Sequence, residues 1–197
     1  MMKLNSARAA WHDALYTPRD SQGAVLQEMC LLGRLIQKTE RATNASHAAH
    51  QAIAGRIQQA IDTLPAHLKA FGNHMYSPVA TDDDKDDAQE ALFRLAYSMG
   101  PTMYAKKFEK AGAVAEGVLY RYRRLHQGGQ SEGVDPCPSP EAFRAWLLNE
   151  FGLGLDSRNW DREWGEFVQA CFNACNDLDK EALAPVSLAI KMMKIAA

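Results

Sequence analysis

Apolar residues recur at steps of three and four along most of the chain, which is the spacing of one face of an α-helix. A first series includes Val25, Leu26, Met29, Leu32, Leu35 and Ile36, and a second runs from Ile53 to Leu64. No alternating apolar pattern of the kind that predicts a β-strand persists beyond a few residues. The pattern therefore predicts an all-α protein, a multi-helix globular domain.

Polar and helix-breaking residues suggest where these helices begin and end. We predict a break near Asn44 and a short helix that opens at Pro65 and ends at Tyr76-Ser77-Pro78. A run with five aspartates follows over 82–87. Such a run is typical of an exposed loop, and its last members favour the N-terminus of a helix from Asp86 to Met99.

Similar signals divide the last third of the chain. Ser139 followed by Pro140 predicts the start of a helix, since proline suits a first helical turn. A glycine-rich turn is predicted over 151–155, and a final helix from about Pro185 to Ile195. Between the basic segment and Ser139, the Gly-, Pro- and Ser-rich residues 128–140 are predicted to form a linker.

The four cysteines do not follow a zinc-binding pattern of paired residues. Cys171 and Cys175 are four apart and share a helical face with apolar neighbours, so we predict buried free thiols. A zinc site that joins them to His126 or Cys137 is the alternative. Glycine-rich nucleotide-binding loops and the GxSxG nucleophile motif are both absent. We therefore expect no catalytic activity, no cofactor and no metal.

The beginning of the chain lacks the apolar core of a signal peptide. No apolar stretch in the sequence is long enough to cross a bilayer. We therefore expect a cytoplasmic protein with reduced thiols and no membrane partner.

Positive charge is concentrated between Tyr104 and Gln130. This segment holds six Lys and Arg against two Glu, a net charge of +4 in a chain whose total is −2. Gly112 is predicted to break the segment into two short helices, the second rich in arginine. Two helices around a glycine turn are the outline of a helix-turn-helix DNA-binding element.

The residues of this element suggest separate roles in DNA binding. The lysines of the first helix are predicted to hold phosphates, and the arginines to contact DNA with the help of the tyrosines between them. The predicted DNA-binding residues are Lys106, Lys107, Lys110, Tyr120, Arg121, Tyr122, Arg123 and Arg124. A solvated helix end, where basic residues complement the helix dipole, is the alternative interpretation.

Residues 64–78, with the pattern LP-x-HL-x-x-FG-x-x-x-Y-x-P, resemble a segment of phage Q-type late-gene antitermination proteins of the zinc-free type. In that family a similar block precedes a helical DNA-binding region, and a looser likeness extends over about 64–126. The resemblance implies a transcription factor without catalysis. Such a protein binds double-stranded DNA near a late promoter, loads onto paused RNA polymerase and promotes read-through of terminators.

These expectations define four regions and three candidate functions. The regions are an N-terminal helical region (1–63), a helix-turn-helix-like DNA-binding region (64–127), the linker (128–140) and a C-terminal helical region (141–197). We predict an antiterminator in the cytoplasm of a bacterial host, with nascent RNA as a possible further partner. The alternatives are a phage DNA-binding repressor or activator, and a helical protein-interaction module that inhibits a host complex.

Overall fold

The structure, a computed structural model, describes residues 5–16, 41–126 and 134–195, and for 41–47 it describes the backbone alone. These residues form seven α-helices and no strand, so the prediction of an all-α multi-helix domain is confirmed. The helices are α1 (Ala7–Leu15), α2 (Arg41–Asp62), α3 (Ala66–Tyr76), α4 (Asp82–Met99), α5 (Ala105–His126), α6 (Pro140–Phe151) and α7 (Glu166–Ile195). A π-helical turn at Asp161–Gly165 leads directly into α7.

The 30-residue helix α7 lies at the centre of the molecule. It packs against α1, α2, α3, α4 and α5, while α6 packs against α5. All seven helices contribute buried side chains to one hydrophobic core, with Trp11, Phe71, Phe143 and Phe167 among the largest. Each such side chain stabilises the fold by roughly 1.5–3 kcal/mol through burial. Within the described residues, no helix combines the length and the apolar character needed to span a membrane.

Several helix ends have the local chemistry that the sequence indicates. The Ser139 side chain accepts a hydrogen bond from the Ala142 N–H at 3.2 Å, with Pro140 in the first turn of α6. Gly152 ends the same helix with φ 64°, a left-handed conformation that suits glycine. The predicted helix start at Asp86 is wrong, because α4 begins at Asp82. The Thr81 hydroxyl accepts from the Asp84 N–H at 3.1 Å, and the Asp84 carboxylate accepts from the Thr81 N–H at 3.0 Å.

The predicted break at Gly112 is also wrong, because α5 continues through this residue as one helix. A glycine inside a helix costs only about 1 kcal/mol relative to alanine. The surrounding turns bury Ala111, Val114 and Val118 completely, and this burial outweighs the cost. The two short helices of the predicted helix-turn-helix are therefore a single helix, about 33 Å long at 1.5 Å per residue.

Two further predicted boundaries fall inside continuous helices. Asn44 lies within α2, and Pro185 lies within α7. Proline inside a helix removes one backbone hydrogen bond at a cost of about 3 kcal/mol. Here Ala182 and Val186 are fully buried on either side, and their packing holds the helix together across that position. The predicted apolar series over 25–36, Cys30 and residues 128–133 of the linker lie outside the described residues.

Candidate nucleic-acid interface

Three lysines lie at the N-terminal end of α5. Lys106 and Lys110 are exposed, and the half-buried Lys107 places its Nζ 5.3 Å from the centre of the Trp164 ring. Among the described residues no carboxylate forms an ion pair with any of the three, and the first turn of α5 has no acidic residue. The helix dipole makes positive charge unfavourable at this end. The start of α5 therefore carries uncompensated positive charge that works against folding.

Aromatic rings are exposed beside these lysines, where α4 ends and α5 begins. Tyr104 is 64% exposed, Phe108 44% and Tyr97 42%. The Phe108 ring lies edge-on to Tyr97 at 5.3 Å and to Phe93 at 5.4 Å, and Phe93 in turn contacts the buried Phe167. We refer to this region as the lysine–aromatic surface, and define it as Tyr97, Tyr104, Lys106, Lys107, Phe108 and Lys110.

Arg121, in the arginine-rich end of α5, is occupied by contacts within the protein. Its Nε and Nη2 donate to the two oxygens of Asp135 at 3.1 and 2.7 Å. The guanidinium also lies 5.3 Å from the ring centres of both Phe143 and Phe172. The hydrogen bonds from Arg121 hold the pKa of Asp135 below its usual range. Arg121 therefore links α5 to the segment before α6 and to α7, and DNA contact by Arg121 stays a prediction.

The two tyrosines of the predicted element also have structural contacts. Tyr122 is buried, and its hydroxyl donates to the side chain of Asn176 at 3.1 Å. Burial, together with the nearby carboxylate of Asp179, raises the pKa of Tyr122 well above its usual value. The Tyr120 ring stacks on Trp146 at 4.9 Å with an angle of 7° between the planes. Both rings thus pack the C-terminal half of α5 onto its neighbours.

The last two arginines remain without ion pairs among the described residues. Arg124 is exposed, whereas Arg123 is half-buried and its Nε has no hydrogen-bond partner. Burial lowers the pKa of Arg123, and the adjacent Arg124 lowers it further. Because Lys106 and Arg124 are 18 residues apart on one helix, about 27 Å separates them along its axis. The eight predicted residues therefore divide between two ends of α5, and DNA contact by Arg123 and Arg124 stays a prediction.

A buried polar cluster that the sequence analysis missed surrounds Asp179 of α7. The Asp179 carboxylate is a shared acceptor: Arg8 Nη2 donates to it at 2.5 Å, and the hydroxyls of Tyr76 and Tyr122 donate as well. The cluster thus ties α1, α3 and α5 to the central helix. Its one signal in the sequence is an aspartate on the apolar face of α7 between Cys175 and Ala182.

The block over 64–78 has a structural explanation in the same region. Phe71 is fully buried, and Tyr76 donates to Asp179. Gly72 lies so close to Trp11 that an added Cβ would be 2.2 Å from Cη2 of the indole. The apolar residue, the glycine and the tyrosine of the block therefore all serve the packing of α3.

His74 of α3 is buried in a positively charged environment. Burial, and then the charges of Arg123 and Lys85, lower its pKa to about 4, with only Asp84 acting in the opposite direction. A histidine whose pKa is lower in the folded than in the unfolded state stabilises the fold when neutral. That contribution is complete above the unfolded pKa of about 6.5 and is lost as the pH falls towards 4.

We expect the variant His74→Gln to remove this pH dependence, because glutamine does not titrate. The free energy of unfolding of the wild type should fall relative to that of His74→Gln by about 3 kcal/mol between pH 7 and pH 4. Urea unfolding at a series of pH values measures the difference, and His67→Gln at an exposed position of α3 controls for the loss of a histidine. A constant difference across this range would contradict the role given to His74.

The prediction of buried free thiols at Cys171 and Cys175 is confirmed. Burial raises the pKa of Cys171 to about 12 and that of Cys175 well above its usual value, so both remain protonated near neutral pH. Cys137, the other described cysteine, is also a buried free thiol. In the described part of the chain, no three His, Cys, Asp or Glu side chains are grouped so as to hold a metal ion.

Comparison of the chain with protein-family models, with curated proteins and with solved structures found no match. The fold and the site define an all-α protein built around a central helix, with unpaired lysines and exposed aromatic rings at one end of α5. The resemblance of residues 64–78 to phage antitermination proteins stays a prediction.

Proposed function

We propose that this protein binds nucleic acid through the lysine–aromatic surface and acts as a transcription antiterminator. The observation that carries nucleic-acid binding is the set of three lysines without an acidic partner beside three exposed aromatic rings. Lysines of this kind bind phosphates, and aromatic rings bind sugars and bases. The role in antitermination rests on the resemblance of residues 64–78, with RNA polymerase, promoter-proximal DNA and nascent RNA as the proposed partners.

A direct physical mechanism follows from this proposal. A terminator hairpin acts only if it folds inside or at the mouth of the RNA exit channel. A protein that occupies this space while remaining on the elongating polymerase denies the hairpin room to fold. Lysines aligned along the departing RNA would also hold its backbone in an extended form through contacts with phosphates.

We expect this protein to increase read-through of an intrinsic terminator in purified transcription with RNA polymerase. The double variant Lys106→Glu/Lys110→Glu should lose read-through, because it reverses the charge at two phosphate contacts. It should also reduce the slope of log K against log salt by about 1.4–1.8 for the two lost contacts. Read-through is measured as the ratio of long to terminated transcripts, and binding by fluorescence anisotropy over a salt series.

The double variant should fold normally, because both positions are exposed and because glutamate is favourable in the first helical turn, where Lys106 lies, whereas lysine is not. Arg56→Glu/Lys180→Glu is the control, with the same change in charge at exposed positions inside α2 and α7. Unchanged termination with reduced initiation would support the repressor instead. Equal read-through by wild type and Lys106→Glu/Lys110→Glu would exclude the lysine–aromatic surface as the site that acts in antitermination.

A second candidate function, protein interaction, is favoured by an exposed apolar stripe on α7. Leu188 and Met192 are each 61% exposed and Ile195 is 73% exposed. Their spacing of four and three residues places them on one side of the helix. Loss of activity in Leu188→Ser/Met192→Ser, with nucleic-acid binding intact, would support this function over the first.

A further inference from the structure

We infer that the lysine–aromatic surface takes single-stranded nucleic acid in preference to a duplex. This inference rests on the proposed function, because it names the class of nucleic acid that the same surface binds. The rings of Tyr97, Tyr104 and Phe108 supply the argument, since phosphate contacts alone do not distinguish a single strand from a duplex.

The exposed rings offer flat surfaces on which unpaired bases can stack. In a duplex the faces of the bases are already stacked on each other, so an aromatic side chain reaches them only if a base is unstacked. In a single strand the faces are free, and stacking on a protein ring is tolerant of sequence because every base has such a face. Tyr104 is the most exposed ring, and its ring makes no contact with another described ring.

The other two rings are held in place by the core beneath them. Phe108 contacts Tyr97 edge-on at 5.3 Å, and both contact Phe93 at 5.4 and 6.1 Å. Phe93 lies against the fully buried Phe167 at 6.4 Å. This support restricts ring motion, so that less conformational entropy is lost when a base stacks on them.

The charges around the rings indicate where the phosphates lie. Lys106 and Lys110 are four apart on α5, so they lie one turn apart along the helix, and Tyr104 directly precedes Ala105, the first residue of that helix. Met99 lines a cleft of about 500 Å³ together with Asp161 and Glu166. These carboxylates repel phosphates, and Glu109 is a further exposed acid on α5. The backbone of the strand should therefore follow Lys106, Lys107 and Lys110 around the start of α5, away from the cleft.

We expect labelled oligo(U) and oligo(dT) to bind more tightly than a duplex of the same length in fluorescence anisotropy. Tyr104→Leu should weaken single-strand binding by about 5- to 150-fold, which is the loss of one stacked base, and should weaken duplex binding less. Tyr104→Trp should bind at least as tightly as wild type. Because Leu retains an apolar side chain and Trp retains an aromatic one, the pair separates stacking from general apolar contact.

Tighter binding of the duplex, or equal single-strand binding by wild type and Tyr104→Leu, would overturn the inference. Comparison of oligo(U) with oligo(dT) shows whether RNA or DNA is the better ligand, since only RNA offers the 2′-hydroxyl. Single-strand binding without terminator read-through would support this inference and contradict antitermination. Read-through together with a preference for duplex would contradict this inference and support antitermination.

Discussion

We expect Asp179→Ala to destabilise the protein more than any other single removal of a polar side chain described above. Asp179 is buried, and its carboxylate accepts from Arg8, Tyr76 and Tyr122, which belong to three different helices. Without it, the Tyr76 hydroxyl loses its acceptor and the guanidinium of Arg8 loses its counter-charge, while the Tyr122 hydroxyl keeps the side chain of Asn176 as acceptor. Loss of one partner from a buried ion pair costs about 3–5 kcal/mol, and the one-third exposure of Arg8 places this case at the lower end.

Urea unfolding followed by circular dichroism measures this effect, and a loss of about 3 kcal/mol should lower the Tm by about 6–12 °C. Asp177→Ala is the matched control, because Asp177 is exposed on the same helix. It should change the free energy of unfolding by less than about 0.5 kcal/mol. Asp179→Asn, which keeps an acceptor but loses the charge, should fall between the two. Equal stability of Asp179→Ala and Asp177→Ala would show that the cluster does not hold the helices together.

We expect Gly72→Ala to separate α1 from α3 or to destabilise the fold by about 3 kcal/mol. The added Cβ would lie 2.2 and 2.4 Å from two carbon atoms of the Trp11 indole, far inside van der Waals contact. Trp11 has no room to move, because it is fully buried and its indole N–H donates to the side chain of Asn73 at 3.3 Å. The added methyl group should therefore push α1 away from the core.

Gly112→Ala is the matched control for this second prediction. Gly112 is also inside a helix, but apart from its chain neighbours and the backbone of its own helix, no atom of the described residues lies within 4 Å of an added Cβ. This variant should stabilise the protein by about 0.5–1 kcal/mol, because alanine is the better helix former. A smaller ring in Trp11→Phe should recover part of the stability of Gly72→Ala in a double-mutant cycle. Stabilisation of Gly72→Ala to the same extent as Gly112→Ala would contradict the close contact with Trp11.

The sequence predicts those features of the fold that depend on neighbouring residues. The apolar spacing identifies the helical class, and Ser139 with Pro140 marks a helix start correctly because capping involves residues three apart. The wrong predictions at Gly112 and Pro185 concern features that depend on residues distant in sequence. There the local tendency to break the helix is outweighed by burial against α7 or its neighbours, and this burial depends on residues distant in sequence.

The candidate site shows the same division between local and distant effects. The excess of lysine at the start of α5 is evident in the sequence, and the structure leaves Lys106 and Lys110 exposed. The same count of charges also included Arg121, whose partner Asp135 lies 14 residues away, beyond the end of the helix. A count of basic residues does not distinguish a free guanidinium from a paired one. Aromatic residues in a helical pattern ordinarily predict core positions. The exposure of Tyr104 and Phe108 therefore follows from the packing of the helices and is not evident in the sequence.

The central position of α7 has a consequence for the order in which the chain folds. The contact between Arg8 and Asp179 joins residues 171 positions apart, and α7 is the last described helix to be synthesised. Until it leaves the ribosome, α1 to α5 have nothing against which to bury the faces that pack on it. Contacts of such long sequence separation slow folding, because a large loop must close before they form. We therefore expect the earlier helices to remain loosely associated during synthesis and the native core to form in a cooperative step once α7 has left the ribosome.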